Sequence, residues 1–238
     1  MLLSLPDSGT VSLMSDLLGD ASNPWFSWTY VQTHWTELVV ACQEHIMLTV
    51  GAVVLAILFA VPLAALIRRS PSLSAPILGL SGVLYTIPSL ALISLLWPVF
   101  GLSPWTVIIA LAVYALLVVL RNIVVGLQQV PPDVLDAARG MGLTQRQVLT
   151  KVSIPLAMPT ILAGIRIATV STVGLVTIGA LVGYGGFGSL ILSGFALNSW
   201  HAEIMAGTLG CVLLAVVFEL LLQGLQRVVT PWSRKARS

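Results

Sequence analysis

Long apolar runs separated by short polar breaks dominate the sequence. A helix needs about 20 apolar residues to cross the hydrocarbon core of a bilayer. Four runs reach that length, and a fifth is slightly shorter but carries no charge. The pattern predicts five transmembrane helices, at 46–67, 76–97, 104–120, 159–182 and 204–222. The apolar run at 187–197 is about half the required length, so we expect a short or re-entrant helix there.

Composition agrees with an all-α integral membrane protein. Hydrophobic residues make up 57% of the chain and charged residues only 8%, whereas a soluble domain carries roughly 25% charged residues. The apolar residues of 1–20 are interrupted by Pro6, Asp7 and Asp16, which predicts an amphipathic helix lying at the membrane interface. The net charge of +2, without a basic stripe, indicates no nucleic-acid partner.

Positive charge sets the expected orientation. All 11 Lys and Arg residues lie at or after Arg68. Five spans place the basic loops and the basic tail on one side, which the positive-inside rule makes cytoplasmic. We therefore expect the N-terminus outside and the C-terminus inside. The domains are then an extracytoplasmic arm at 1–45, a transmembrane domain at 46–226 and a basic cytoplasmic tail at 227–238.

The cytoplasmic loop at 121–158 begins with a predicted short helix. Pro132 suits the first turn of a helix, where a missing N–H costs nothing. Asp133 places a negative charge at the positive end of the helix dipole. Gly142 suits a C-terminal cap that needs a positive φ. This part of the loop is therefore expected to be a helix closed by a glycine turn.

A second helix is predicted to follow the glycine. Thr144 and Gln147 have the spacing of a capping box, which starts a helix. Pro155 and Pro159 are expected to end this helix before the fourth span. From amphipathicity alone, a helix pair resting on lipid remains an alternative interpretation of the loop.

The same loop resembles the EAA motif of ABC importer permeases. The family pattern is Glu-Ala-Ala, three residues, Gly, nine residues and Ile-x-Leu-Pro, and this loop keeps that spacing throughout. Asp136 replaces Glu, Val152 replaces Ile, and Ile154 replaces Leu. In that family the motif forms a coupling helix that sits in a cleft of the ATPase subunit. The resemblance implies an ATPase-coupling site at Asp136, Ala137, Ala138, Arg139, Gly142, Leu143 and Pro155.

Over roughly residues 44–197 the chain is similar to the permeases of osmoprotectant importers. The similar segments are 84–92, 121–122, 126–127, 137–142, 162–166 and the glycine cluster at 183–188. The resemblance implies a type I permease arrangement, like that of methionine importers. It also implies the transmembrane subunit of an ATP-driven importer for glycine betaine, carnitine, choline or proline.

The expected partners follow from the same resemblance. They are a second permease subunit (identical or paralogous), two cytoplasmic ATPase subunits and an extracytoplasmic substrate-binding protein. ATP and Mg would be held by the ATPase, so this chain is expected to hold no cofactor and to catalyse no reaction. The expected location is the plasma (inner) membrane of a prokaryote, with the chain crossing it several times.

A few polar residues within the spans are candidates for the translocation path. Pro88 interrupts the second span and frees a backbone carbonyl group near Tyr85, whose ring could face a quaternary amine. In the fourth span, Ser171, Thr172 and Thr177 could line a weakly polar path. The alternatives are a tolerated kink at Pro88 and close helix packing by the small residues of the fourth span.

Two ionisable residues lie inside spans. Arg166 and Glu219 have overlapping depths near the cytoplasmic end, so we predict an ion pair between them. The alternative is that each side chain reaches water or a headgroup alone. His34, His45 and His201 lack metal-ligand spacing and are expected to be ordinary exposed polar residues, so no metal site is predicted. The glycine cluster lacks the Lys-Ser/Thr pair of a phosphate loop and is expected to be a tight turn.

Two other functions stay open from the sequence. One is an ABC permease for another small solute, such as an amino acid. The other is a membrane anchor that docks a cytoplasmic partner and transports nothing.

Overall fold

The computed structural model describes residues 23–197 and 200–234, and this part of the chain is helical with connecting turns. The predicted interfacial helix in 1–20 lies outside the described residues. The α-helices are α1 Trp28–Thr33, α2 Trp35–Arg69, α3 Ser74–Thr86, α4 Ser89–Phe100, α5 Pro104–Gln128, α6 Pro132–Gly140, α7 Gln145–Val148, α8 Ile154–Val176, α9 Phe187–Ala196 and α10 His201–Val229. Short 3₁₀ segments occur at Pro71–Leu73, Thr177–Val182 and Pro231–Arg234, and a π-helical segment at Leu149–Ser153.

The first span belongs to a helix much longer than its apolar core. α2 has 35 residues, so at about 1.5 Å per residue it extends beyond the roughly 30 Å of hydrocarbon. Residues 35–45, assigned from the sequence to the extracytoplasmic arm, continue the same helix. Neither Gly nor Pro occurs in 35–50. The polar residues in this segment make it less apolar than the rest of α2, but they do not interrupt the helix.

α5 forms the centre of the bundle. In the most apolar 18-residue stretch of α5, 61% of the residues are buried. The corresponding share is 33% in α2 and 11% in α10. α2 turns a stripe of small residues toward α5, spaced four residues apart and each at most 3% exposed: Ala52, Ala56, Ala60 and Ala64. Small residues let two helix backbones approach closely, which is a main source of packing in membranes.

α2 and α5 run parallel to each other. Gly51, in the middle of α2, faces Ile108 near the beginning of α5, and Ala64 shares a groove with Val124 near the ends of both helices. Parallel neighbours require the chain to cross the membrane between them. Only α3 and α4 are available for that crossing, and they are bent by 96° at the break before Ser89. The pair is therefore one broken span, and with four long helices it gives the five spans predicted from the sequence.

α8 runs antiparallel to α5, since Gly126 packs on Ala157 and Gly164 packs on Asn122. α10 is antiparallel to α8, because Gln226 contacts Pro159 while Cys211 contacts Val173. These directions place eight basic residues at or toward one end of the bundle: Arg68, Arg69, Arg121, Arg139, Arg146, Lys151, Arg166 and Arg227.

The glycine cluster redirects the chain after α8. Gly183 has φ +86° and Gly186 has φ +53°, conformations that favour glycine. α9 then follows with 10 residues and packs against α10. The short helix on one side of the membrane is thus present, as its length predicts.

Candidate functional site

The loop between α5 and α8 has the predicted glycine cap. After α6 ends, Gly142 adopts φ +82°. Its N–H donates to the carbonyl oxygen of Arg139 at 2.9 Å, and the N–H of Leu143 donates to that of Ala138 at 3.3 Å. This pair of bonds is a Schellman motif, which satisfies two of the carbonyl groups left free at the end of a helix. Gly142 therefore fixes the angle at which the chain leaves α6.

The capping box is also present. The N–H of Thr144 donates to Oε1 of Gln147 at 2.8 Å, and the N–H of Gln147 donates to Oγ1 of Thr144 at 3.4 Å. Each residue thus satisfies a free backbone donor of the first turn. Only Leu143 lies between Gly142 and Thr144, the first residue of this box. The backbone of the turn therefore has little conformational freedom.

The predicted end of the second helix at Pro155 and Pro159 is wrong. α7 continues through the π-helical segment into α8, and the N–H of Ile154 donates to the carbonyl oxygen of Leu149. Proline normally clashes with the carbonyl group four residues earlier. The wider π turn before Pro155 relieves that conflict, and Pro155 then occupies the first turn of α8. The part of the loop from Gln145 onward is consequently a continuous extension of a membrane-spanning helix.

Most of the predicted coupling residues lie on one exposed unit. Asp136 and Arg139 form an ion pair of 2.8 Å whose side chains are 70% and 50% exposed. Ala138 is buried, and α6 packs against the following helix. Val134 and Met141 present apolar side chains on the surface, with Met141 73% exposed. Pro155 lies apart from this unit, at the base of α8.

The break in the second span is built around Pro88. Pro88 precedes α4 as its N-cap, so its missing N–H costs no helical hydrogen bond there. The carbonyl group of Ile87 accepts a hydrogen bond from the hydroxyl of Tyr114 on α5. The rings of Tyr85 and Tyr114 meet edge to face with centroids 5.6 Å apart. Tyr85 stays 46% exposed, so one of its faces is available.

The three polar residues predicted for the path in α8 do not behave alike. Ser171 is exposed, and Thr177 is half-buried with its hydroxyl bonded to the carbonyl oxygen of Gly174 at 2.7 Å. Thr172 is buried, and its hydroxyl donates to the carbonyl oxygen of Ala168 at 2.7 Å. Thr172 therefore lies on a different face of α8 from Ser171, because a helix turns by about 100° per residue.

Arg166 and Glu219 lie together, with Nε of the arginine 3.1 Å from Oε1 of the glutamate. The same guanidinium group donates through Nη1 to Oε1 of Gln226 at 3.3 Å. Nε2 of Gln226 donates in turn to the carbonyl oxygen of Pro159 at 3.1 Å. This network joins α8, between Pro159 and Arg166, to the last third of α10.

The prediction that His45 is an exposed polar residue is wrong, because its side chain is fully buried. Its Nε2 lies 2.9 Å from the carbonyl oxygen of Val173, near the end of α8. Its Nδ1 accepts the N–H of Phe187, at the beginning of α9, at 3.3 Å. These partners require the neutral ring with hydrogen on Nε2. The carboxylate of Glu44 accepts the N–H of Gly186 at 3.0 Å. His45 thus binds a carbonyl group near the end of α8. Glu44 and His45 also accept the free backbone N–H groups of Gly186 and Phe187 at the beginning of α9.

Two signals could have indicated these missed residues. Glu44 and His45 are adjacent polar residues next to the apolar run of α2, and a buried polar pair needs partners. Tyr114 is the one tyrosine in the aliphatic run of α5. Their partners could not be identified, because they lie far away along the chain.

These elements together match a known family of membrane proteins. Residues 51–235 match the family described as the inner membrane component of binding-protein-dependent transport systems. The chain belongs to this family. It is therefore a multi-pass plasma membrane protein and a permease subunit of an ABC transporter.

Relatives within the family match most of the chain. The osmoprotectant import permease protein OsmW of Salmonella typhimurium is 42% identical over 193 residues, which are 79% of this chain and 89% of the relative. The glycine betaine/carnitine/choline transport system permease protein OpuCD of Bacillus subtilis is 35% identical over 207 residues, or 87% of this chain and 90% of the relative.

A solved structure shows the same fold. A chain of the MetNI methionine ABC transporter, in an inward-facing conformation, matches with a TM-score of 0.73 at 22% identity. The match covers 81% of this permease and 96% of that chain. The type I arrangement expected from the loop motif is thereby confirmed.

Proposed function

We propose that this permease imports a small quaternary-amine or zwitterionic osmoprotectant of the glycine betaine, carnitine, choline or proline class. The observation that carries this proposal is the similarity to osmoprotectant permeases, at 35–42% identity over most of the chain. The likeness to a methionine transporter, at 22% identity, concerns the fold alone. An amino-acid substrate therefore has no comparable support.

The α6–α7 turn is the proposed docking site for a cytoplasmic ATPase subunit. It exposes apolar side chains at Val134 and Met141 beside the Asp136–Arg139 ion pair, a combination suited to a protein cleft. Its two caps and its continuity with α8 make it stiff. A stiff element can pass closure of the ATPase to the membrane as a rigid-body shift. Binding and hydrolysis of ATP with Mg would belong to that partner.

A complete transporter would contain two permease subunits, two ATPase subunits and a binding protein outside the cell. Each permease would contribute Ser171, Thr177 and the Tyr85 face beside the Pro88 break to a shared path. These are weakly polar groups, and a path that binds its cargo weakly allows the cargo to leave. The basic end of the bundle would face the cytoplasm, with the N-terminus outside.

Substrate class can be tested by competition. The permease is reconstituted in proteoliposomes with its ATPase and binding protein, and uptake of labelled glycine betaine is measured. Excess unlabelled carnitine, choline or proline should reduce the uptake, while methionine and histidine should leave it unchanged. Competition by an amino acid other than proline, with none by the quaternary amines, would contradict the proposal.

The role of Tyr85 is tested in the same system. Tyr85→Phe keeps an aromatic face and should retain uptake, whereas Tyr85→Leu removes the cation–π contact. A contact worth about 0.5–2 kcal/mol predicts a loss of roughly 2- to 30-fold in uptake at low substrate. Equal uptake by the two variants would remove Tyr85 from the path.

A further inference from the structure

A basic cavity lies at the end of the bundle where α2 finishes. Its volume is about 510 Å³, and its lining includes Arg68 and Arg69 from the last turn of α2. Arg146, in the helix that follows the glycine turn, lines it from the other side. Three guanidinium groups from two separate elements therefore surround one space.

These three positive charges lack a protein counter-ion in the described part of the chain. The ion pairs found there are Asp136–Arg139 and Arg166–Glu219, and neither involves a residue of the cavity. Like charges gathered around one cavity repel each other unless an anion offsets them. The chemistry of the cavity thus selects an anion, and guanidinium groups are well suited to phosphate oxygens.

An apolar groove adjoins this cavity on the neighbouring side of α2. It has a volume of about 250 Å³ and lies between the ends of α2 and α5, lined by Ala64, Ile67, Val124 and Leu127 among others. Arg68 lines both the groove and the basic cavity. A ligand could therefore place its phosphate in the basic cavity and its hydrocarbon chain in the apolar groove, with Arg68 between the two. Free phosphate would leave the groove empty.

We propose that the basic cavity and the apolar groove form a binding site for one anionic phospholipid. The phosphate lies among Arg68, Arg69 and Arg146, and an acyl chain lies along the groove toward Leu127. The bound lipid would connect the end of the first span to the helix that continues from the docking turn. This site is separate from the proposed path residues and does not depend on which solute is imported.

The test measures lipid binding to the purified full-length chain in neutral detergent by native mass spectrometry. Phosphatidylglycerol and phosphatidylcholine with the same acyl chains serve as probes. The variant Arg68→Gln/Arg146→Gln removes two charges from the cavity. Arg121→Gln/Lys151→Gln removes two exposed charges from the same end of the bundle but outside the cavity, and serves as the matched control.

Wild-type protein should prefer phosphatidylglycerol, and the cavity variant should bind it about thirty-fold more weakly. The control should bind within a few-fold of wild type, and Arg68→Lys/Arg146→Lys should restore most of the binding. If the cavity variant does not fold, Arg69→Gln alone should weaken phosphatidylglycerol binding about five-fold.

Three results would overturn the proposal. One is equal weakening by the cavity variant and the control, which would indicate general attraction to the basic end of the bundle. Another is equal binding of the two lipids by wild type. The last is displacement of phosphatidylglycerol by inorganic phosphate, which would show that the groove contributes nothing.

Discussion

Polar side chains within the spans of this permease mostly satisfy backbone groups of their own helix. The hydroxyl groups of Ser81, Thr169, Thr172 and Thr208 each donate to the carbonyl oxygen four residues earlier. Such bonds hide polar atoms from lipid at little cost. Other polar side chains of the described residues join different helices, among them His45, Tyr114 and Arg166.

The Arg166–Glu219 pair allows a direct test at the residue scale. Arg166→Gln and Glu219→Gln should each lower the thermal stability of the protein in detergent, since each leaves a partly buried charge without its partner. The double variant should lose less thermal stability than the sum of the losses of the two single variants. Because both side chains are partly exposed, we expect a coupling energy of about 1 kcal/mol or less.

The control cycle pairs Glu219→Gln with Arg121→Gln, an exposed arginine that makes no ion pair in the described chain. In this control cycle, the losses of thermal stability of the two single variants should add up to that of the double variant. If the Arg166 cycle were equally additive, the ion pair would contribute nothing to stability.

Helical elements were predictable from hydropathy where the apolar run and the helix coincide, as in α5 and α10. Hydropathy could not reveal the 96° bend in the second span, because the residues on both sides of the break are apolar. It also missed the π-helical segment, since the two prolines after it normally end a helix. The caps at Gly142 and Thr144–Gln147 were predictable because their bonds join residues close in sequence. The contacts of His45 were not, because they cross more than 100 residues.

The docking turn gives a prediction at the element scale. Gly142→Val should impair coupling between ATP hydrolysis and uptake, because a β-branched side chain is strained at φ +82° by about 1–2 kcal/mol or more. Gly140→Val is the matched control. A Cβ at either glycine meets no atom within 4 Å, so the two sites differ in backbone conformation and not in space.

Both variants should insert into the membrane normally. Gly140→Val should keep uptake and substrate-stimulated ATPase activity near wild type, whereas Gly142→Val should lose most of the uptake. Equal activity of the two variants would mean that the angle set by the glycine cap is unimportant for coupling.

At the scale of the whole molecule, the parallel packing of α2 and α5 determines the topology. It requires the α3–α4 pair to cross the membrane, so the two ends of that pair must lie on opposite sides. In a background without Cys42 and Cys211, a cysteine at Ser72 should react only from the cytoplasm and one at Ser103 only from outside. Membrane-impermeant thiol reagents applied to intact cells and to inverted vesicles measure this. Labelling of both positions from the same side would refute the five-span arrangement.

The central claim is that this chain forms the transport path of an ATP-driven osmoprotectant importer. Its most direct test is uptake of labelled glycine betaine into proteoliposomes that contain the permease, its ATPase and its binding protein. We predict accumulation that requires ATP and all three components and that is mostly lost with the Gly142→Val permease. A complete assembly that hydrolyses ATP but moves no glycine betaine, carnitine, choline or proline would contradict the claim, as expected for an anchor that only docks its partner.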